Sequence, residues 1–323
     1  MPDADENKAR RPPGDPLRYA TTYHAPVLCD AVLRGLVTEP AGLYVDATLG
    51  GGGHAAALLD ALAPAGRVVG IDRDAEALDV VGRRLAGSVA DGRLVLVRGD
   101  FGWIDAALDP LGIESIDGLL LDLGVSSRQL DAPARGFSHR AEGRLDMRMD
   151  ERAPLTAADI VNRWDEADIR RVLRAFGEEP RAASIARRIV AARPVETTLA
   201  LAEIVRGAVP GRDEAKTLAR VFQALRIAVN DELGALERAL ATATRRVRPG
   251  GRLAVISYHS LEDRRVKRYL RAGNLEGEVD RDVYGHPRVP WRPLSRQAQV
   301  PDEAEIAANP RARSARLRIA ARI

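Results

Sequence analysis

The sequence of 323 residues holds one cysteine, Cys29, and only three lysines, Lys8, Lys216 and Lys267, among 49 basic residues. A lone cysteine excludes an intramolecular disulfide and a thiolate metal cage. No apolar run approaches the ~20 residues that a membrane span requires. The polar, proline-rich stretch 1–18 lacks the apolar core of a secretory signal. These absences predict a cytoplasmic chain with no membrane partner. The five histidines stand apart from one another in the sequence, so no metal-ligand cluster is expected.

What is present suits a folded, well-solvated protein. Hydrophobic residues make up 46%, enough for a sizeable core, and charged residues make up 29%, enough to solvate the surface. The net charge of +3 permits nucleic-acid binding without demanding it. Arginine supplies nearly all of the positive charge, and its planar fork donates paired hydrogen bonds to phosphate. GC-rich coding gives the same excess, so the arginine count alone assigns no partner.

Residues 1–22 read as a disordered tail. From Leu43 the chain alternates strand and helix patterns. Leu43–Thr48, Arg67–Asp72, Leu94–Arg98 and Ile116–Asp122 read as strands, with His54–Leu62 and Ala75–Leu85 as helices between them. The last strand, IDGLLLD, is nearly all apolar, as a strand buried on both faces should be. This alternation predicts an α/β fold with a mostly parallel, doubly wound sheet. Between 131 and 212 the strand pattern stops, and helical patterns such as Ala167–Phe176 and Ala182–Ala192 replace it. Asp213–Val247 reads as one long helix with Leu218, Phe222, Leu225, Val229, Leu233, Leu236 and Leu240 on a single apolar face. Arg252–Tyr258 resumes the strand pattern. Ser260–Arg271 is a further helix, with Ser260 and Asp263 placed to form its capping box. The predicted organisation is a sheet domain over 23–130 and 213–323, split by a helical insertion over 131–212.

The sharpest local signal is VDATLGGGGH, residues 45–54: an apolar strand, four glycines, then a helix. Glycines there let the backbone turn tightly and let a ligand approach main-chain N–H groups. No Gly-Lys-Ser/Thr follows, which excludes a Walker A phosphate loop. Asp72 ends the next strand, where a carboxylate accepts both ribose hydroxyls of an adenosine ligand. These two features fit a nicotinamide dinucleotide and S-adenosylmethionine equally. Three others favour the methyl donor. Asp46 and Gly50 form the D-x-x-x-G-x-G pattern typical of methyltransferases, while the third glycine of the dinucleotide spacing falls at Ala55. Gly99-Asp100-Phe101 follows the third strand, where an acid and an aromatic hold an adenine. Asp122 ends the fourth strand, facing the same crevice. One such acid is as often a solvated strand end; four of them beside a glycine loop form a site.

Longer motifs surround these residues. HAPVL (24–28), DATLGGGGH (46–54), GIDRD (70–74), LLLDLGVSSRQLD (119–131), RGFS (135–138) and LDMRMD (145–150) are followed by FQALRIAVNDEL (222–233), PGGRLAVISYHSLEDRRVKR (249–268) and EIAANPRARSARLR (305–318). In these blocks the chain, from Tyr23 to its C-terminus, resembles the bacterial ribosomal small-subunit RNA (cytosine-N4)-methyltransferases, the RsmH/MraW family. The resemblance implies a class I S-adenosylmethionine methyltransferase, Rossmann-like, with an inserted helical domain for substrate recognition. It implies that Gly52, Gly53 and His54 touch S-adenosyl-L-methionine. Asp72 would bind its ribose, Phe101 would pack on its adenine, and Asp122 and Gln129 would complete the pocket at the methionine end. The implied partner is 16S ribosomal RNA within the small subunit. The chain departs from the family pattern at Arg128, at Ser138-His139-Arg140, at Glu178-Glu179-Pro180 and at Lys216–Val221.

A cytosine amine is a poor nucleophile because its lone pair is delocalised into the ring. The enzyme must therefore place it in line with the methyl group and accept one of its N–H bonds. Asp122, or the Leu123 carbonyl, is a candidate acceptor. Other amino-methyltransferases carry an aromatic just after strand four; here Asp122-Leu123-Gly124-Val125 has none, so Tyr258 or His259 is expected in its place. His259 is equally suited to capping the strand end. Gln223, Arg226 and Asn230 form a polar strip on the long helix, either a solvated edge or a substrate contact. Arg264, Arg265, Lys267, Arg268 and Arg271, with Arg311, Arg313, Arg316 and Arg318, form two basic clusters suited to phosphate. The rival readings are a dehydrogenase, a methyltransferase of another RNA or of a protein, and a non-enzymatic RNA-binding assembly factor.

Overall fold

The structure, a computed structural model, describes residues 19–20, 26–125, 131–209, 211 and 213–323. Gln129 and, apart from Tyr19 and Ala20, the expected tail lie outside the described residues. Among the described residues seven strands form one sheet: β1 (Leu43–Asp46), β2 (Arg67–Asp72), β3 (Leu94–Arg98), β4 (Ile116–Asp122), β5 (Val247–Ser257), β6 (Trp291–Pro293) and β7 (Arg316–Arg322). Their order is β3-β2-β1-β4-β5-β7-β6. The first five strands pair in parallel, while β7 pairs antiparallel with both β5 and β6. The chain has the doubly wound, Rossmann-like α/β fold that the sequence pattern predicts, its sheet mostly parallel.

Successive side chains of a strand point to opposite faces, so a strand apolar at every position needs cover on both. In β4, Leu119 and Leu121 enter one core with Val45, Ile71, Leu253 and Val255. Leu120 enters the other with Tyr44, Val68, Ala254 and Ile256. The first core is closed by Ile104 and Leu108, by Leu236 and Leu240, and by Val266 and Leu270, all helical. Val32, Leu36, Leu58 and Val81, on helices Cys29–Leu36, Gly53–Ala61 and Ala75–Arg84, close the second.

The chain divides into two compact units. One comprises the sheet, up to Gly124 and from Gly234 onward; the other is Val125–Leu233. The second contains helices Ala157–Arg163, Glu166–Gly177, Ala182–Ala191, Thr198–Ala208 and Glu214–Asn230 around Ile160, Leu173, Ile185, Leu201 and Phe222. Its limits differ from the 131–212 read in the sequence, because Leu218, Phe222, Leu225 and Val229 belong to the helical core. The single long helix expected over 213–247 is two. Asp231 adopts a left-handed conformation with φ of 48° and separates Glu214–Asn230 from Glu232–Arg246. The apolar stripe thus serves two cores: Leu236 and Leu240 pack in the sheet unit.

Candidate active site

Asp46, Asp72 and Asp122 are the last residues of β1, β2 and β4, and Tyr258 follows β5. Strand order reverses at β1, and ligands of such sheets bind beyond the carboxyl ends at that reversal. Asp72 accepts the Gly50 amide on Oδ2 and the Asp74 amide on Oδ1, both at 2.8 Å. Burial raises its pKa despite those two bonds. A carboxylate offers about four lone-pair sites, so two remain for a pair of hydroxyls. The glycine loop has a packing role as well as the ligand role read from the sequence. A Cβ on Gly52, whose φ is +71°, would lie 2.8 Å from Val81, and one on Gly53 would lie 3.0 Å from Pro26.

Asp122 sits at the centre of a buried polar cluster. Its amide donates to Thr48 Oγ1 at 2.6 Å, which fixes the backbone. The Tyr258 hydroxyl donates to Oδ1 at 2.8 Å. His54 Nε2 lies 3.5 Å from Oδ2, an ion-pair distance without the alignment of a hydrogen bond. Burial works against a charged His54 ring, but Asp122 and Cys29 outweigh it and lift its pKa to about 10. The ring is therefore an imidazolium at neutral pH. Burial, then the charge of Asp122, pushes the Tyr258 hydroxyl well up, so it remains a donor. The Tyr258 ring lies over Gly124, where a Cβ would come within 3.3 Å of it.

Asp46 is not a solvated strand end. It is 1% exposed, and its Oδ2 has no hydrogen-bond partner among the described residues. Burial raises its pKa to about 6, with His54 pulling the other way. Three carboxyl groups and one imidazolium at one edge of the sheet make a setting suited to a cationic ligand.

The remaining candidates are placed as follows. Phe101 is half-buried after β3, with the Arg73 guanidinium 5.5 Å from its ring centroid. Asp100 accepts the Gly102 amide at 2.7 Å and so is tied into the turn. His259 is the N-cap of helix Ser260–Ala272, one residue before the capping box expected at Ser260 and Asp263. Its side chain accepts the Glu262 amide, while the Glu262 carboxylate accepts the Tyr258 and His259 amides. Nor are the described histidines isolated in space: His54, His259 and His286 each face a carboxylate, and His139 packs edge-on against Phe222.

Asn230 is not at a surface. It is buried, accepts the Met149 amide and donates to the Met147 and Arg226 carbonyls. Gln223 donates to the Phe176 carbonyl, and Arg226 forks onto Glu232. The polar strip braces the helical unit internally. Of the basic residues, Arg318 pairs with Asp263 and Arg265 with Glu237, whereas Arg313 and Arg316 are exposed. Two participants were not singled out from the sequence. Cys29 flanks His54, and Glu305 accepts the Leu28 amide at 2.6 Å across 277 residues of sequence. Both lie in or beside family-like blocks, but no spacing rule connects them.

The model of the MraW methylase family matches residues 21–323. The chain belongs to this family. A relative from Chlorobaculum parvum named ribosomal RNA small subunit methyltransferase H is 49% identical over 316 residues, covering 92% of this chain and 97% of that protein. Proteins of the same name from Amoebophilus asiaticus and Symbiobacterium thermophilum are each 47% identical over 306 residues. They cover 94% and 92% of this chain, and 97% and 95% of their own lengths. Membership spans both the sheet unit and the helical unit, so the family's methylase character applies to the chain as a whole.

Proposed function

We propose that this chain transfers the methyl group of S-adenosylmethionine to the exocyclic N4 of a cytidine in the decoding region of 16S ribosomal RNA, in the cytoplasm and within the small subunit. The observation that carries the reading is the Asp122 carboxylate, held between Tyr258 and His54 at the strand-order reversal of a chain in the MraW methylase family. The substrate follows from near full-length relatives named for the small-subunit RNA.

The donor is a sulfonium that supplies an already activated methyl group, and transfer from it requires no metal. The residues fit such a ligand: Asp46, Asp72 and Asp122 complement its two positive charges, and Asp72 retains acceptor capacity for ribose hydroxyls. Phe101 offers a face for the adenine, and Gly52, Gly53 and His54 line the turn beside it. Asp122 has two available duties. It can hold the donor's ammonium, or it can accept an N–H of the cytosine amine and turn the lone pair toward the methyl. Positioning the amine within roughly 3–3.5 Å of the methyl carbon then supplies much of the rate. The amine sheds its proton to water or to this carboxylate. The helical unit serves substrate recognition, and the exposed Arg313 and Arg316 serve phosphate.

Incubating the chain with donor and unmethylated small subunits, followed by nucleoside mass mapping, should show N4-methylcytidine. A methyl on another nucleoside, or none, overturns the reading. Asp72→Ala should weaken donor binding about 10–150-fold, the equivalent of a hydrogen bond to a charged group, and leave RNA affinity unchanged. Calorimetry on the folded variant decides this, and an unchanged donor affinity removes Asp72 from the site.

A further inference from the structure

Residues 280–288 form a small hairpin that the active site does not use. The Arg288 amide donates to the Asp280 carbonyl at 2.8 Å, and the Asp282 amide donates to the His286 carbonyl at 2.9 Å. The Asp282 carboxylate closes the turn from within, accepting the Tyr284 and His286 amides at 2.9 and 2.8 Å. Arg281 adds a bond to the Gly285 carbonyl at 2.7 Å. The turn is therefore held in one shape, yet its tip stands in solvent: Val283 is 91% exposed and Tyr284 is 83% exposed, the Tyr284 ring meeting only the neighbouring His286 ring, tilted, at 6.4 Å among the described residues. These two side chains contribute no core burial, although apolar area left in water forgoes about 25 cal/mol per Å².

Charge is uneven along the same stretch. Glu276, Glu278 and Asp280 precede the tip. From Arg281 to Val300 there are four arginines, at 281, 288, 292 and 296, and one acid, Asp282, which is spent inside the turn. All four arginines are exposed. Protein-docking centres also enrich aromatics and arginine; what points to RNA here is the excess of one sign, four exposed arginines against one acid already engaged inside the turn. An exposed aromatic within an arginine-rich segment is the pairing that single-stranded RNA sites use: an aromatic face for a base and guanidinium groups for the backbone.

We propose that this hairpin is a second RNA contact, in which the Tyr284 ring stacks on an unpaired base and Arg288, Arg292 and Arg296 meet phosphates of the same strand. The proposal rests on the RNA substrate argued above and adds to it a surface that grips the substrate away from the reacting amine.

The test uses the full chain and unmethylated small subunits. Stacking on an aromatic is worth about 1–3 kcal/mol per base, so Tyr284→Ala should weaken binding about 5–150-fold. Tyr284→Phe should restore it, and donor affinity should stay constant in both. The thermal midpoint should not move, since the side chain touches no core. A photo-crosslinking amino acid at position 284 should capture 16S RNA. Equal binding by Tyr284→Ala overturns the proposal, as does a crosslink confined to a ribosomal protein. A parent chain that binds no subunits defeats the RNA reading itself; a parent that binds, alongside an equally good Tyr284→Ala, defeats the hairpin alone.

Discussion

Both oxygens of the Asp122 carboxylate are engaged before any ligand arrives, Oδ1 by Tyr258 and Oδ2 by His54. Asp122→Asn keeps the shape and removes the charge, so it separates the two available duties. A carboxylate can pair with an ammonium in the ground state, so the donor KM should rise more than kcat falls. A transition-state duty would instead lower kcat and kcat/KM together, with donor affinity kept. Single-turnover rates at saturating donor distinguish these outcomes. Wild-type rate and wild-type affinity would show that Asp122 does neither. Asp46 makes a different prediction. Its folded pKa of about 6 stands above the ordinary 3.8, so between those values the folded chain holds a proton that the unfolded chain has released. Stability falls as pH rises through that window, and the penalty is complete above it. The difference amounts to roughly 3 kcal/mol at 1.36 kcal/mol per pKa unit. Denaturant titrations of the donor-free protein should show this slope in the parent but not in Asp46→Asn. Parallel slopes would mean that Asp46 is not buried as an acid. That each acid ends a strand is legible in the sequence. That Asp46 is sealed from solvent is not, because its cover comes from residues scattered along the chain.

Elements divide in the same way. β4 was readable to the residue because IDGLLLD serves two cores, and each leucine advertises it. β7 was not, because Arg316, Arg318 and Arg322 make a strand resemble a basic run. Its apolar positions, Leu317, Ile319 and Ala321, alternate correctly, but Arg318 gains its place only through Asp263, 55 residues away. β6 has three residues, too few to show any period. The start of helix Ser260–Ala272 was misplaced by one residue because histidine is an uncommon cap, and only the fold shows its ring turned onto Glu262. If capping is the duty of His259, His259→Asn should preserve both stability and kcat, since asparagine is among the best N-caps. His259→Ala should lose about 0.5–2 kcal/mol in denaturant unfolding. An asparagine variant that is stable but inactive would make His259 part of the chemistry.

For the molecule as a whole, salt separates the two ligands. Donor binding involves a buried, short-range site and should change little with ionic strength. RNA binding should weaken steeply, each neutralised phosphate adding roughly 0.7–0.9 to the log–log slope. Replacing the exposed Arg313 and Arg316 should flatten that slope in filter-binding titrations; a slope equal to the parent's removes this cluster from the interface. Local patterns named the strand-end acids and Tyr258 as candidates yet could not join them. The Tyr258–Asp122 bond spans 136 residues, and the Glu305–Leu28 bond spans 277. Periodicity carries no information over such distances, whereas motif blocks shared with relatives bring it in indirectly.

The place of β7 has a consequence for the order in which the molecule is made. It lies between β5 and β6, and both of those strands are synthesised before it. While a ribosome is still translating the segment after Pro293, the outer edge of β5 from Arg252 to Ser257 has no partner, and β6 has no sheet to join. An open strand edge is a template for pairing with other chains, so this interval is when the nascent protein is most exposed to aggregation. Tyr258 extends from that same edge strand. The sheet that steadies the end of β5 carrying Tyr258 is therefore completed only once residues 316–322 have left the exit tunnel.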